Sequence, residues 1–164
     1  MNRGIWLAVV LLVLTLCQCD RRPEPQAAVA APGPSAYAFD INLKITPEAV
    51  ALMQQRDSHF VVAALYFGRP KPEHRHEANP QGRIRLGYEL VGMAKGAERV
   101  HLPAAVIDTR LLGSINGGPH TMVSIYSATG SGVRDGLVRC KTYFGIIATA
   151  RAKSPTVHCY VNTP

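Results

Sequence analysis

The globular part of this 164-residue chain announces itself as short strands separated by turn residues. Phe39, Ile41, Leu43 and Ile45 alternate with Asp40, Asn42 and Lys44, the period of two expected when one face of a strand is buried. Thr46-Pro47 follows as a helix N-cap with proline at the first helical position, and Ala49, Val50, Leu52 and Met53 give that helix a short apolar stripe. The segment His59 to Phe67 is apolar nearly throughout. Periodicity alone leaves a buried helix open there, but the Val, Tyr and Phe content favours a central strand covered on both faces.

Alternation resumes at Ile84, Leu86, Tyr88 and Leu90, weakens around Val100 and Leu102, and returns over Thr121 to Ala128 with Val123 and Ile125 opposed to Met122, Ser124 and Tyr126. Residues 103–113 suit a strand end and a short helical turn, and Gly117-Gly118-Pro119 is expected to be a turn. Towards the C-terminus come a strand over Leu137 to Lys141, a helix-compatible stretch from Tyr143 to Ala152, and a closing strand over Thr156 to Val161. About seven strands with two or three short helices predict a mainly β protein, a compact sandwich of transthyretin-like or immunoglobulin-like type. A mixed α+β sheet is the alternative.

The front of the chain is different. After Arg3 an apolar run extends from Ile5 to Leu16 with Thr15 as its polar member, shorter than the roughly 20 residues a helix needs to cross a bilayer. It fits the core of a signal peptide. Two cysteines follow at once in Leu16-Cys17-Gln18-Cys19. This segment resembles a bacterial lipoprotein signal, whose leucine lies three places before the cysteine that is lipidated and becomes the mature N-terminus. The resemblance implies lipidation of Cys19, with Gln18 a departure from the small residue usual before the anchor. Cys17 is the alternative anchor, with bulky Leu16 at the cleavage point; a plain secretory leader is the other reading.

Residues 1–18 are therefore expected to be a signal peptide, 19–37 a tether and 38–164 the β domain. The tether holds Pro23, Pro25, Pro32 and Pro34 among alanines, too little apolar surface to offset the entropy of ordering it. Signal, tether and strand rhythm together are similar to transthyretin-like or immunoglobulin-like lipoproteins, including the outer-membrane lipoprotein of type VI secretion. What the resemblance implies is a protein held by its lipid in the bacterial envelope and facing the periplasm, in either the inner or the outer membrane.

Export changes how the remaining cysteines read. Cys140 and Cys159 fall in the two closing strands, with Val138 before the first and Val157 and Val161 around the second, so each sulfur belongs to an apolar face and a disulfide between them is expected. The formal net charge of +7 suits anionic lipid headgroups, an acidic polysaccharide or an acidic envelope protein, with solubility alone as the plainer account of charges so scattered. Its scattered basic residues form no nucleic-acid-binding arm, and no nucleic-acid partner is expected.

Two stretches carry candidate chemistry. In residues 68–82, His74 and His76 are flanked by Glu73 and Glu77, and in an extended chain both imidazoles would point the same way towards a zinc or copper ion. A periplasmic metal-binding protein or a small hydrolase built on that loop is the alternative function. In Ser127 to Gly136, the backbone of Gly130, Ser131 and Gly132 with the charge of Arg134 offers an anion contact. No P-loop, nucleophile elbow or zinc-protease helix motif is present in the sequence. The expectation is a non-enzymatic binding or assembly module without a cofactor.

Overall fold

The computed structural model describes residues 35–130 and 132–162. Cys17, Cys19 and the expected signal peptide lie outside the described residues, as does most of the tether. Tyr37, in the expected tether, packs against the core, and the Ser35 hydroxyl accepts its N–H at 3.1 Å.

The fold is mainly β, with strands β1 (Phe39–Ile45), β2 (His59–Pro70), β3 (Ile84–Gly92), β4 (Arg99–Leu102), β5 (Ile115–Ala128), β6 (Arg134–Cys140), β7 (Tyr143–Ile146) and β8 (Thr156–Val161). They form one sheet in the order β3-β2-β5-β6-β8-β1-β4, with β7 added to β5. Side chains from both ends of that path share one core: Phe60, Val62 and Tyr66 of β2 lie in the same cluster as Ile41 of β1, Leu102 of β4 and Val157 of β8. A sheet that buries one face against itself must curl over, and the result is a sandwich-like, nearly closed barrel.

The two ends of the path, β3 and β4, are tied by a polar seam. The Glu89 carboxylate on β3 accepts the buried Tyr66 hydroxyl and, at 3.2 Å, the backbone N–H of Ala104 just beyond β4. Further along, Asp108 N–H donates to the Leu86 carbonyl at 2.8 Å. Burial and the Glu89 carboxylate push the Tyr66 phenol far above its ordinary range, so Tyr66 stays a neutral donor.

The helix α1 (Pro47–Gln55) forms as its sequence predicts, with the Thr46 side chain accepting Ala49 N–H at 3.3 Å. Ala49 and Met53 are its buried residues. Asp57 then takes a left-handed φ of 51°, which ends the helix and turns the chain into β2.

Three local expectations are corrected. Gly117-Gly118-Pro119 does not reverse the chain but lies inside β5. Arg69 pairs with Asn116 and Phe67 with His120, so β5 advances four residues while β2 advances two. The glycines and proline supply a bulge, where a missing proline N–H breaks no ladder. Tyr143 to Ile146 is not helical but is β7, paired antiparallel with β5 over His120 to Val123; helix α2 (Ile147–Ala152) begins only afterwards. In β3 the alternation changes phase. Ile84 and Leu86 are buried, whereas Tyr88 and Leu90 are 43% and 56% exposed. The register slips between Tyr66 and Phe67, leaving Leu86 as an extra residue opposite β2, and one extra residue sends every later side chain to the other face.

Candidate binding face

The register places two rows of side chains across the outer face of β3, β2, β5 and β7. One row runs Tyr88, Leu65, Met122, Phe144, and the next runs Arg85, Phe67, His120, Ile146. Four strands at the usual spacing make each row roughly 14 Å long. Phe144 and Ile146 are 53% and 43% exposed, so with Tyr88 and Leu90 this face keeps apolar surface towards solvent.

Arginines lie on its aromatic rings. The Arg83 guanidinium is 4.5 Å from the Phe67 ring centroid and 5.3 Å from that of Phe144. Arg85 lies 5.7 Å from the Tyr88 centroid. Arg134, from the second candidate loop, lies 5.3 Å from the Tyr126 centroid. A guanidinium held over a ring by cation–π attraction still has N–H groups to donate.

Carboxylates are scarce here. Strands β2, β5 and β7 contain no Asp or Glu, and the one acid in β3, Glu89, is engaged with Tyr66 and Ala104. Among the described residues neither Arg69, Arg83 nor Arg85 forms an ion pair; the arginines that do are Arg99 with Asp40 and Arg110 with Asp108.

The rows end in an open cleft of about 400 Å³ lined by Phe67, Arg69, Gln81, Arg83, His120 and Phe144. The His120 ring stacks on Phe67 with centroids 5.7 Å apart. Its Nδ1 is sealed from solvent without a hydrogen-bond partner. A smaller cleft of about 220 Å³ lies between α1, the start of β2 and residues 94–97. The charges at its rim already pair, Lys95 with Asp57.

The 68–82 loop is not extended. Residues 72–77 form a 3₁₀ turn led by Pro72, in which His74 Nδ1 lies 2.6 Å from Glu77 Oε1 and His76 Nε2 lies 3.9 Å from the same oxygen. The His74 hydrogen bond holds the Glu77 carboxyl below its ordinary range. Among the described residues no group of three or more His, Cys, Asp or Glu side chains is arranged to hold a metal ion.

In the second candidate loop two amides are bonded within the loop itself. Gly132 N–H donates to the Thr129 carbonyl at 2.8 Å, and Thr129 N–H donates to the Val133 carbonyl at 3.1 Å. Ser131 lies outside the described residues, and Gly130 offers no neighbour within reach of an added Cβ. Arg134 of this loop is brought to the arginine-bearing face.

The same end of β6 holds a polar knot that the sequence reading did not isolate. The Asp135 carboxylate accepts the hydroxyls of Ser58, at 2.6 Å, and Ser127, and the N–H of Leu137 at 3.0 Å. Ser127 Oγ in turn accepts Val138 N–H at 3.0 Å. Ser58 and Ser127 are buried. Desolvation opposes ionisation of Asp135, but the hydroxyl hydrogen bonds outweigh it and hold the carboxyl below its ordinary value. Both serine hydroxyls are thus donors to a carboxylate, a structural arrangement rather than an activated nucleophile.

Cys140 and Cys159 form a disulfide at directly paired positions of β6 and β8. No protein-family model, curated protein or solved structure matches the chain.

Proposed function

We propose that this chain is a lipid-anchored protein of the bacterial cell envelope whose β domain is a non-enzymatic module that binds an acidic partner. The observation that carries the binding half is the outer face of β3, β2, β5 and β7, where arginines stacked on aromatic rings have no carboxylate of their own. Exposed apolar side chains beside unpaired cations favour an interaction surface. Three ionisable side chains held away from their ordinary behaviour elsewhere are committed to internal partners: Tyr66 to Glu89, Glu77 to His74, Asp135 to Ser58 and Ser127.

The anchoring half rests on the Leu16-Cys17-Gln18-Cys19 segment and is supported by a disulfide that suits an oxidising compartment. Intact mass spectrometry of membrane-extracted protein tests it. The wild-type chain should begin at Cys19 and carry a diacylglycerol-sized increment, which Cys19→Ala abolishes; an increment that survives Cys19→Ala contradicts the assignment. The binding half is tested by footprinting in the intact envelope, where the side chains of this face should be shielded.

A further inference from the structure

We infer that the cleft around Arg69, Arg83, His120 and Phe144 takes a carboxylate-bearing sugar unit of an acidic polysaccharide. This deepens the reading of the outer sheet as a binding face and rests on it. Arg83 lies over both Phe67 and Phe144, at 4.5 and 5.3 Å from their centroids, so the two rings fix where its charge sits. A guanidinium placed there can meet the two oxygens of a carboxylate. Arg69 lines the same cleft and, like Arg83, has no ion-pair partner among the described residues.

The remainder of the cleft suits a ring with both polar and apolar faces. Phe144 is 53% exposed and offers a flat apolar platform for the C–H face of a sugar, while Gln81 and His120 stand at the wall to meet hydroxyl groups. The lane continues from Phe144 through Met122 and Leu65 to Tyr88, where Arg85 lies over the ring. A ligand longer than one unit therefore meets a second aromatic–arginine pair at the far side.

The row from Tyr88 to Phe144 has neutral Leu65 and Met122 between its ends, so a ligand spanning it meets an arginine–aromatic pair at each end and apolar surface between.

Full-length protein in detergent, titrated calorimetrically with oligogalacturonate, tests the assignment. The acid form should bind, and its methyl ester should bind about tenfold more weakly or worse. Arg83→Gln and Arg69→Gln should each weaken the acid form by about tenfold, and Phe144→Ala should weaken both forms. Arg151→Gln, on the exposed side of α2, should stay within about twofold of wild type because an exposed distant charge is screened.

Equal binding of acid and ester, wild-type affinity in the two cleft arginine variants, or no binding of oligogalacturonate would each overturn the inference. Glycerol phosphate and an oligothymidylate serve as the other arms. If either binds with dependence on Arg83 while oligogalacturonate does not, the saccharide assignment falls and the face remains a binding surface. If the face is also unshielded in the envelope, the underlying reading falls with it. Unchanged circular dichroism and thermal midpoint of Arg83→Gln and Phe144→Ala, both altered at the surface, exclude unfolding as the cause.

Discussion

Replacing Cys140 and Cys159 together by alanine should lower the free energy of unfolding by about 3 kcal/mol and the thermal midpoint by about 10 °C. The cross-link spans 19 residues and joins β6 to β8 at paired positions. In the unfolded chain it removes the entropy of a loop that the native state must close anyway. The location amplifies the effect. β6 and β8 form the turn of the sheet between β5 on one side and β1 on the other, so loosening this pair loosens the link between the two halves of the core. Cys159 is also buried, and the alanine there leaves a small void beside Val157 and Val161. Thermal unfolding followed by circular dichroism measures the change. Reductant should lower the wild-type midpoint towards that of the double variant and leave the variant unmoved; a wild-type midpoint indifferent to complete reduction would show that the cross-link does not support the native state.

Asp135→Ala should cost a similar amount, about 3 kcal/mol, because the hydroxyls of Ser58 and Ser127 and the Leu137 N–H lose their acceptor together. Asp135→Asn keeps one acceptor oxygen and should cost about 1 kcal/mol. The two variants also separate charge from shape. The native state holds Asp135 ionised more firmly than the unfolded chain does, since its carboxyl lies below the ordinary value of 3.8. Protons are therefore bound preferentially by the unfolded state as the medium becomes acidic. Stability from this site is fully present above pH 3.8 and is lost as pH falls through that value towards the lower native one. Urea titrations at neutral and acid pH should show a smaller acid loss for Asp135→Asn than for wild type. The same acid slope in both would mean that this carboxyl is not held in its ionised form by the fold.

Much of the architecture is legible in the chain. Alternation over Phe39 to Ile45, the Thr46-Pro47 start of α1 and the apolar segment that becomes β2 all lead to elements found in place. The cysteine pair was legible for the same reason, each sulfur sharing parity with apolar neighbours of its strand. The binding face was not legible, and β3 shows why. Ile84, Leu86, Tyr88 and Leu90 read as one buried stripe, and nothing in that stripe marks where a bulge shifts phase. The slip opposite Tyr66 and Phe67 depends on how β3 meets β2, a tertiary fact.

The same holds at Gly117-Gly118-Pro119. The residue types correctly mark irregular backbone, but whether a Gly-Gly-Pro run becomes a reversal or a bulge depends on whether a partner strand continues past it. Here β2 does, from Phe67 to Pro70. β7 escaped notice because four residues are too few for a period, and the free edge of β5 decides their conformation. The cleft draws Arg69 from the end of β2, Arg83 from just before β3, His120 from β5 and Phe144 from β7, so no spacing in the sequence joins them. One signal was available: the near absence of acids from β2, β3, β5 and β7, which together hold Glu89 alone.

The account turns on that arginine-bearing face being covered in its working setting. Oxidative footprinting of the full-length protein, compared between intact envelope and purified detergent extract, measures this directly. Met122, Tyr88 and Phe144 should be modified several-fold more slowly in the envelope, while exposed Tyr160 on β8 reacts alike in both. Equal rates at Met122, Tyr88 and Phe144 in the two settings, or shielding confined to Tyr160, would contradict it.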